Sequence, residues 1–235
     1  MDLPNVVSAA RAWVALFRCQ LNPVRALMPP PLEPVTMRGD RVVVAAFLID
    51  VDDATMGRYR HMGVGFAARY RPWLTPPFGA IWLERRSDDF GYWVQFSAMS
   101  TRAAVDASIA HWGFPSFLAD IDIQVKRSKM NASVAEKGVE VMRMEMNRPG
   151  SDMPMRFPFR TYGRAGDEIL RTETTVDSVG REKSMFISSS LTLRRHERVE
   201  DLRGVSIELH DPVEVRWYDS FRMRMDEPSA RFKVK

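Results

Sequence analysis

The chain is 235 residues long, 45% hydrophobic and 10% aromatic, with 34 Lys and Arg against 30 Asp and Glu and a formal net charge of +4. So much apolar material with so small a net charge excludes a disordered chain and predicts a folded body with a substantial core, taken as one domain over residues 1–235. The basic pI near 9.4 does not imply a nucleic-acid partner: acidic and basic residues are interleaved, the small cluster Arg194, Arg195, His196 and Arg198 reads as a solvated strand end, and no DNA- or RNA-binding motif accompanies it.

Taken in chain order, Met1-Asp2-Leu3-Pro4 lacks the basic start and apolar stretch of a secretory signal. A strand is predicted over Ala12–Cys19. Cys19 is the single cysteine, which excludes an internal disulfide and a cysteine-based zinc site and suits a cytoplasmic location. Asn22 as N-cap and Pro23 at the first helical position predict a short helix to Met28, and Pro29-Pro30-Pro31 forbids its continuation. The β-branched run Arg41–Val51 predicts a strand buried on both faces. Its apolar part, Val42 to Ile49, is far short of the roughly 20 residues that cross a bilayer, so no membrane partner is expected.

Further strands are predicted at Arg58–Arg71, Gly79–Arg85 and Phe90–Met99. A helix then follows, capped by Ser100 or Thr101, with Val105, Ile109 and Trp112 at helical spacing. Beyond it come strands at Leu118–Lys126, Val139–Met146, Met155–Thr161, Ile169–Val176, Lys183–Leu193 and Val213–Trp217. Turn chemistry at Asp88-Asp89, Glu136-Lys137-Gly138 and Arg164-Ala165-Gly166-Asp167 separates them. Many strands, two or three helices and no βαβ alternation predict an α+β, mainly β fold: a curved or closed antiparallel β-barrel with a few short helices.

The segment Trp112-Gly113-Phe114-Pro115-Ser116-Phe117 resembles the active-site segment of the acetoacetate decarboxylase family, where an aromatic residue and a proline lead into a Schiff-base lysine. Three more pieces resemble that family in the same order. They are Phe17-Arg18-Cys19-Gln20 with Val24–Pro29 and Pro31-Leu32-Glu33-Pro34, then Gly57-Arg58-Tyr59-Arg60-His61, then Met155-Arg156-Phe157 through Asp167-Glu168-Ile169-Leu170. The resemblance implies a barrel around a small, largely apolar cavity, a homo-oligomer and a small organic acid or carbonyl ligand. It also implies substrate contacts from Tyr59, Arg11, Trp112 and Phe114.

The chain departs from the family pattern where the chemistry would lie. Ser116 stands at the lysine position and Phe117 in place of a second lysine. Ser108-Ile109-Ala110 replaces the family's glycine-arginine-glutamate, and His61 replaces its glutamate. A serine cannot form an iminium, so Schiff-base decarboxylation is not expected, and whether the protein is an enzyme at all stays open. On Arg58–Arg71, one face carries Tyr59, His61, Gly63, Gly65 and Ala67, leaving room for a ligand or a closely packed partner. With that face inward, the resemblance places Tyr59, His61 and Ser116 around one space.

Two functional readings follow. In one, the protein binds and converts a small organic acid or carbonyl compound, with His61 as acid or base and Ser116 as nucleophile or hydrogen-bond donor. In the other, it is a non-catalytic carrier or sensor whose Ser, His and Tyr make ordinary hydrogen bonds. His111, His196 and His210 form no ligand spacing, so neither a metal nor any other cofactor is predicted. Lys126, Lys129 and Lys183, the last in a turn-like stretch, read as solvated. Phe221 to Lys235 mixes charge with Met and Phe and is read as a tail that packs on a neighbouring subunit.

Overall fold

The computed structural model describes residues 3–37, 39–71, 83–84, 87–150, 153–184 and 188–234. Its strands are β1 (Asn5–Gln20), β2 (Leu32–Pro34), β3 (Arg41–Ala54), β4 (Tyr59–Tyr70), β5 (Phe90–Met99), β6 (Ser116–Leu118), β7 (Asp120–Lys126), β8 (Lys129–Glu136), β9 (Val139–Asn147), β10 (Met153–Ala165), β11 (Glu168–Ser184), β12 (Ser189–Leu193), β13 (Glu214–Met225) and β14 (Ala230–Lys233). The α-helices are α1 (Leu21–Leu27), α2 (Arg102–Trp112) and α3 (Glu200–Gly204). None is long and apolar enough to cross a membrane.

Seven strands close a barrel. Around it run β4, β3, β1, β13, β11, β10 and β5, and β5 pairs back onto β4. All these joins are antiparallel except one: β10 meets β5 in parallel, at Thr161↔Tyr92 and Tyr162↔Trp93. The expected antiparallel barrel is therefore correct with a single parallel seam. A second sheet, in the order β12-β9-β8-β7, packs outside it.

Strand alternation divides the core into an inside and an outside. On β1, Trp13, Ala15 and Phe17 join Met142, Met144 and Leu191 of the second sheet in one buried cluster. The even residues Ala12 and Val14 turn the other way, into the barrel interior. Trp13 and Trp217, neighbours on β1 and β13, meet edge to face at 5.8 Å, which anchors the outer cluster.

Helix α2 closes one end of the barrel. Thr101, rather than Ser100, caps it by accepting a hydrogen bond from Ala104 N at 3.3 Å, while Ser100 Oγ accepts from Arg60 N. Val105 and Trp112 are buried as the periodicity predicts, but Ile109 is 48% exposed. The helix ends at Gly113, whose φ of +65° is open to glycine at little cost. At Gly163 on β10, an added Cβ would come 2.0 Å from the Trp112 carbonyl oxygen. That close approach lets Arg164 N bond Gly113 O at 2.8 Å and fixes the helix end against the barrel wall.

Several expectations are corrected. Gly180-Arg181-Glu182-Lys183 is not a turn but the end of β11, and the strand placed at Lys183–Leu193 begins only at Ser189. Of the strand placed at Gly79–Arg85, only Leu83 and Glu84 are described, and they are helical. The carboxyl-terminal tail packs on its own chain: Phe221, Met223 and Met225 lie on β13, and β14 pairs with β11.

Candidate functional site

The barrel holds a cavity of about 70 Å³ that is open on one side. Its walls are almost wholly apolar, with Ala12, Ile49, Met99, Phe157, Tyr218 and Met223 among them. Trp112 and Phe114, delivered by the end of α2, line it. The Trp112 indole N–H donates to the Asp226 carbonyl at 3.1 Å, which holds the ring in place.

Tyr59 and His61 reach this cavity from β4, and both are buried. The rest of their strand face does not open onto it. The ring of Phe47, opposite on β3, occupies the space over Gly63, and the Trp93 carbonyl lies 3.1 Å from where a Cβ of Gly65 would be. The small residues thus admit a packed partner at Gly63 and Gly65 and leave the ligand space to the Tyr59–His61 end.

His61 is held by a hydroxyl. Its Nε2 lies 3.0 Å from Ser97 Oγ, and Ser97 Oγ lies 2.8 Å from Ser116 Oγ. Ser97 is fully buried and sits directly opposite Gly63 on β5, where it also pairs with Ser116 on β6. Burial lowers the His61 pKa to about 3, so the ring is uncharged near neutral pH. The Phe47 ring stands edge-on to it at 5.0 Å. The bond to Ser97 leaves its Nδ1 outside it. Tyr59 is likewise neutral, pushed up to about 12 by burial despite a long hydrogen bond from Asn5 to its hydroxyl.

Ser116 does not line the cavity. It is half-buried and faces a groove of about 490 Å³ beside Arg102, Asp106, Glu136 and Arg198. A serine side chain at this position ends on Ser97 and goes no further. The expected meeting of Tyr59, His61 and Ser116 around one space is thus corrected: Ser97 stands between the last two.

Arg11 is also placed elsewhere. Its guanidinium donates to Asp50 at 2.6 Å on the outer face of the barrel, and its side chain is 42% exposed. The cation at the cavity wall is Arg216, from β13. Arg216 is buried and fully engaged: Nη1 and Nη2 donate to the two carboxylate oxygens of Glu84, at 2.9 and 2.5 Å, and Nε donates to Glu214 at 2.5 Å. Tyr92 also donates to Glu84 at 3.1 Å, and burial raises its own pKa well above the ordinary value.

The remaining candidates fall away from the cavity. His111 packs near Trp112 at 5.9 Å, and His196 lies 3.6 Å from Glu136. Lys126 and Lys129 sit on the second sheet, where Lys129 pairs with Glu145 at 3.0 Å; the side chain of Lys183 lies outside the described residues. Among the described residues no cluster of His, Cys, Asp or Glu could hold a metal ion.

Ser97, Arg216 and Phe47 were not singled out by the sequence. Ser97 had a signal of its own, as one of two uncharged polar residues, with Gln95, in the otherwise apolar run Phe90–Met99. Arg216, set between Val215 and Trp217, had a similar one.

The family model for acetoacetate decarboxylase matches residues 3–161, more than half of the chain. No protein of curated function matches by sequence. Among solved structures, an acetoacetate decarboxylase from Legionella pneumophila is 15% identical with a TM-score of 0.68, covering 98% of this chain and 89% of its own. The enduracididine biosynthesis enzyme MppR, complexed with pyruvate, is 10% identical at a TM-score of 0.62, covering 100% of this chain and 91% of its own. An acetoacetate decarboxylase-like enzyme from Sphingomonas wittichii RW1 is 14% identical at 0.61, covering 99% and 93%. At these identities the likeness is one of fold.

Proposed function

The chain belongs to the acetoacetate decarboxylase family, and from that premise we propose that its barrel binds a small, uncharged carbonyl compound without forming a Schiff base. The observation that carries this reading is that each described charge at the cavity wall is already neutral or neutralised. His61 is uncharged, and the Arg216 guanidinium is bound by Glu84 and Glu214. A carboxylate ligand entering so apolar a space would lose its hydration with no free cation to replace it.

Two polar atoms support a ligand that bears an oxygen. The buried Thr161 Oγ1 at this cavity is unpartnered among the described residues, and the hydrogen bond of the His61 ring to Ser97 is made through Nε2 and leaves Nδ1 outside it. An apolar cavity of about 150 Å³ accommodates the six heavy atoms of benzene, so one of about 70 Å³ encloses roughly three. Acetone, with four heavy atoms, and butanone, with five, fit with part of the molecule toward the open side of the cavity. Ser116 in place of the lysine removes iminium chemistry, and no described lysine lines the cavity.

A carrier that performs no reaction is the second reading. It is favoured by the low pKa of His61, which makes the ring a weak base near neutral pH. Both readings require the ligand. Butanone is expected to raise Tm in a concentration-dependent way, because a molecule that binds only the folded state stabilises it. No shift with either acetone or butanone rejects the proposal.

A further inference from the structure

The hydrogen-bonded row His61–Ser97–Ser116 joins two spaces that are otherwise separate. His61 lines the apolar cavity, Ser116 lines the polar groove, and the fully buried Ser97 lies between them. Both links are of hydrogen-bond length, 3.0 Å from His61 Nε2 to Ser97 Oγ and 2.8 Å from Ser97 Oγ to Ser116 Oγ. Each hydroxyl both donates and accepts, so the row can run in either direction. We propose that this row is a proton relay between the groove and the cavity, with Ser97 as the positioning residue that holds His61 Nε2 in line with Ser116.

The chemistry of a buried imidazole requires such a partner. Burial disfavours the imidazolium, and a neutral ring that gave up Nδ1–H alone would become an imidazolate, which is costlier still. The ring moves a proton without acquiring charge only by taking one at Nε2 as it releases one at Nδ1. Starting from the Nδ1–H tautomer, Ser116 donates to Ser97 and Ser97 donates to Nε2. Nδ1 then passes its proton to an oxygen in the cavity as Ser97 passes its own to Nε2. Ser116 passes its proton to Ser97 and takes one from water in the groove. Every bond broken is matched by one formed. The net change is one proton moved from groove water, left as hydroxide, to the cavity oxygen, which carries the proton, with the ring left as the neutral Nε2–H tautomer and the row reversed.

The relay does not depend on Ser116 touching a ligand, which explains how a serine that stops short of the cavity still bears on it. It rests on the proposed ligand only for the final acceptor, and its test needs none. In the full-length chain labelled with ¹⁵N-histidine, exchange of the His61 imidazole N–H with water is measured by saturation transfer. The relay predicts that Ser116→Ala slows this exchange on the order of tenfold or more, and that Ser116→Thr, which keeps the hydroxyl, restores it. The imidazole ¹⁵N shifts also move toward a single tautomer in Ser116→Ala. An exchange rate unchanged by Ser116→Ala overturns the relay, since protons then reach His61 through the cavity itself. The butanone shift in Tm is read on the same samples, so loss of the ligand reading and loss of the relay are told apart.

Discussion

The Phe47 ring lies over Gly63, so close that a Cβ on the glycine would stand 2.0 Å from Phe47 Cζ. The two residues face each other on β3 and β4, and their contact sets how much of the barrel interior stays empty. Gly63→Ala is expected to push the ring from its seat and to destabilise the fold by about 1–3 kcal/mol. Phe47→Ala should cost about 3–5 kcal/mol. It should also enlarge the cavity enough for benzene to raise Tm, an effect expected to be absent in the unmodified chain. Urea unfolding and a benzene thermal shift check both variants.

His61 makes stability depend on pH with a defined sign. Its pKa is about 3 in the folded chain against an ordinary 6.5, so between those values the unfolded chain holds a proton that the folded one does not. Stability is therefore lost as pH falls below 6.5, by up to about 1.4 kcal/mol per pH unit, or about 2 kcal/mol between pH 7 and pH 5. His61→Gln removes this component. Urea unfolding of both proteins at the two pH values should show the variant losing less stability by about that amount, and equal losses contradict the assignment.

Arg216 and Glu84 decide which ligand charge the cavity tolerates. Glu84→Gln leaves the guanidinium with one fewer counter-charge. It should destabilise the protein by about 1.5–3 kcal/mol, the cost of weakening hydrogen bonds to a charged group that Glu214 still pairs. The folded fraction should gain affinity for propionate, the anionic isostere of butanone. A calorimetric titration that finds no propionate binding in a folded Glu84→Gln sample contradicts this role.

Schiff-base chemistry should be absent. Incubation with acetoacetate and borohydride is expected to leave the mass of the protein unchanged. Covalent capture on any lysine, located by peptide mapping, would overturn the reading of Ser116.

The barrel was legible because it is written in local pattern. Phe90–Met99 matches β5 end for end, since its apolar run lies between the Asp88-Asp89 turn and a helix cap. Trp112, Phe114, Tyr59 and His61 were named from the family resemblance, with strand parity adding only that Tyr59 and His61 share a face. By contrast β8 was missed: its buried residues Met130, Ala132 and Val134 alternate correctly, but Ala, Ser and Asn are weak strand formers.

Arg11 shows the limit more sharply. The pairing of β1 with β13 shifts register on both sides of Ala10, and a one-residue slip moves a side chain from one face to the other. The arginine consequently meets Asp50 outside, while Ala12 lines the cavity. Ser97, Arg216 and Phe47 depend on which residues stand opposite across strands distant in sequence. Composition and period do not carry that information.

The most direct test of the central claim compares butanone with propionate, which share a size and shape and differ in charge. In the full-length chain with ¹³C-methyl methionine, the cavity residues Met56, Met99, Met223 and Met225 report the occupant. The predicted result is that butanone shifts these methyl signals at saturable concentration and propionate does not. Shifts with propionate and none with butanone would contradict an uncharged ligand in the Tyr59–His61 cavity.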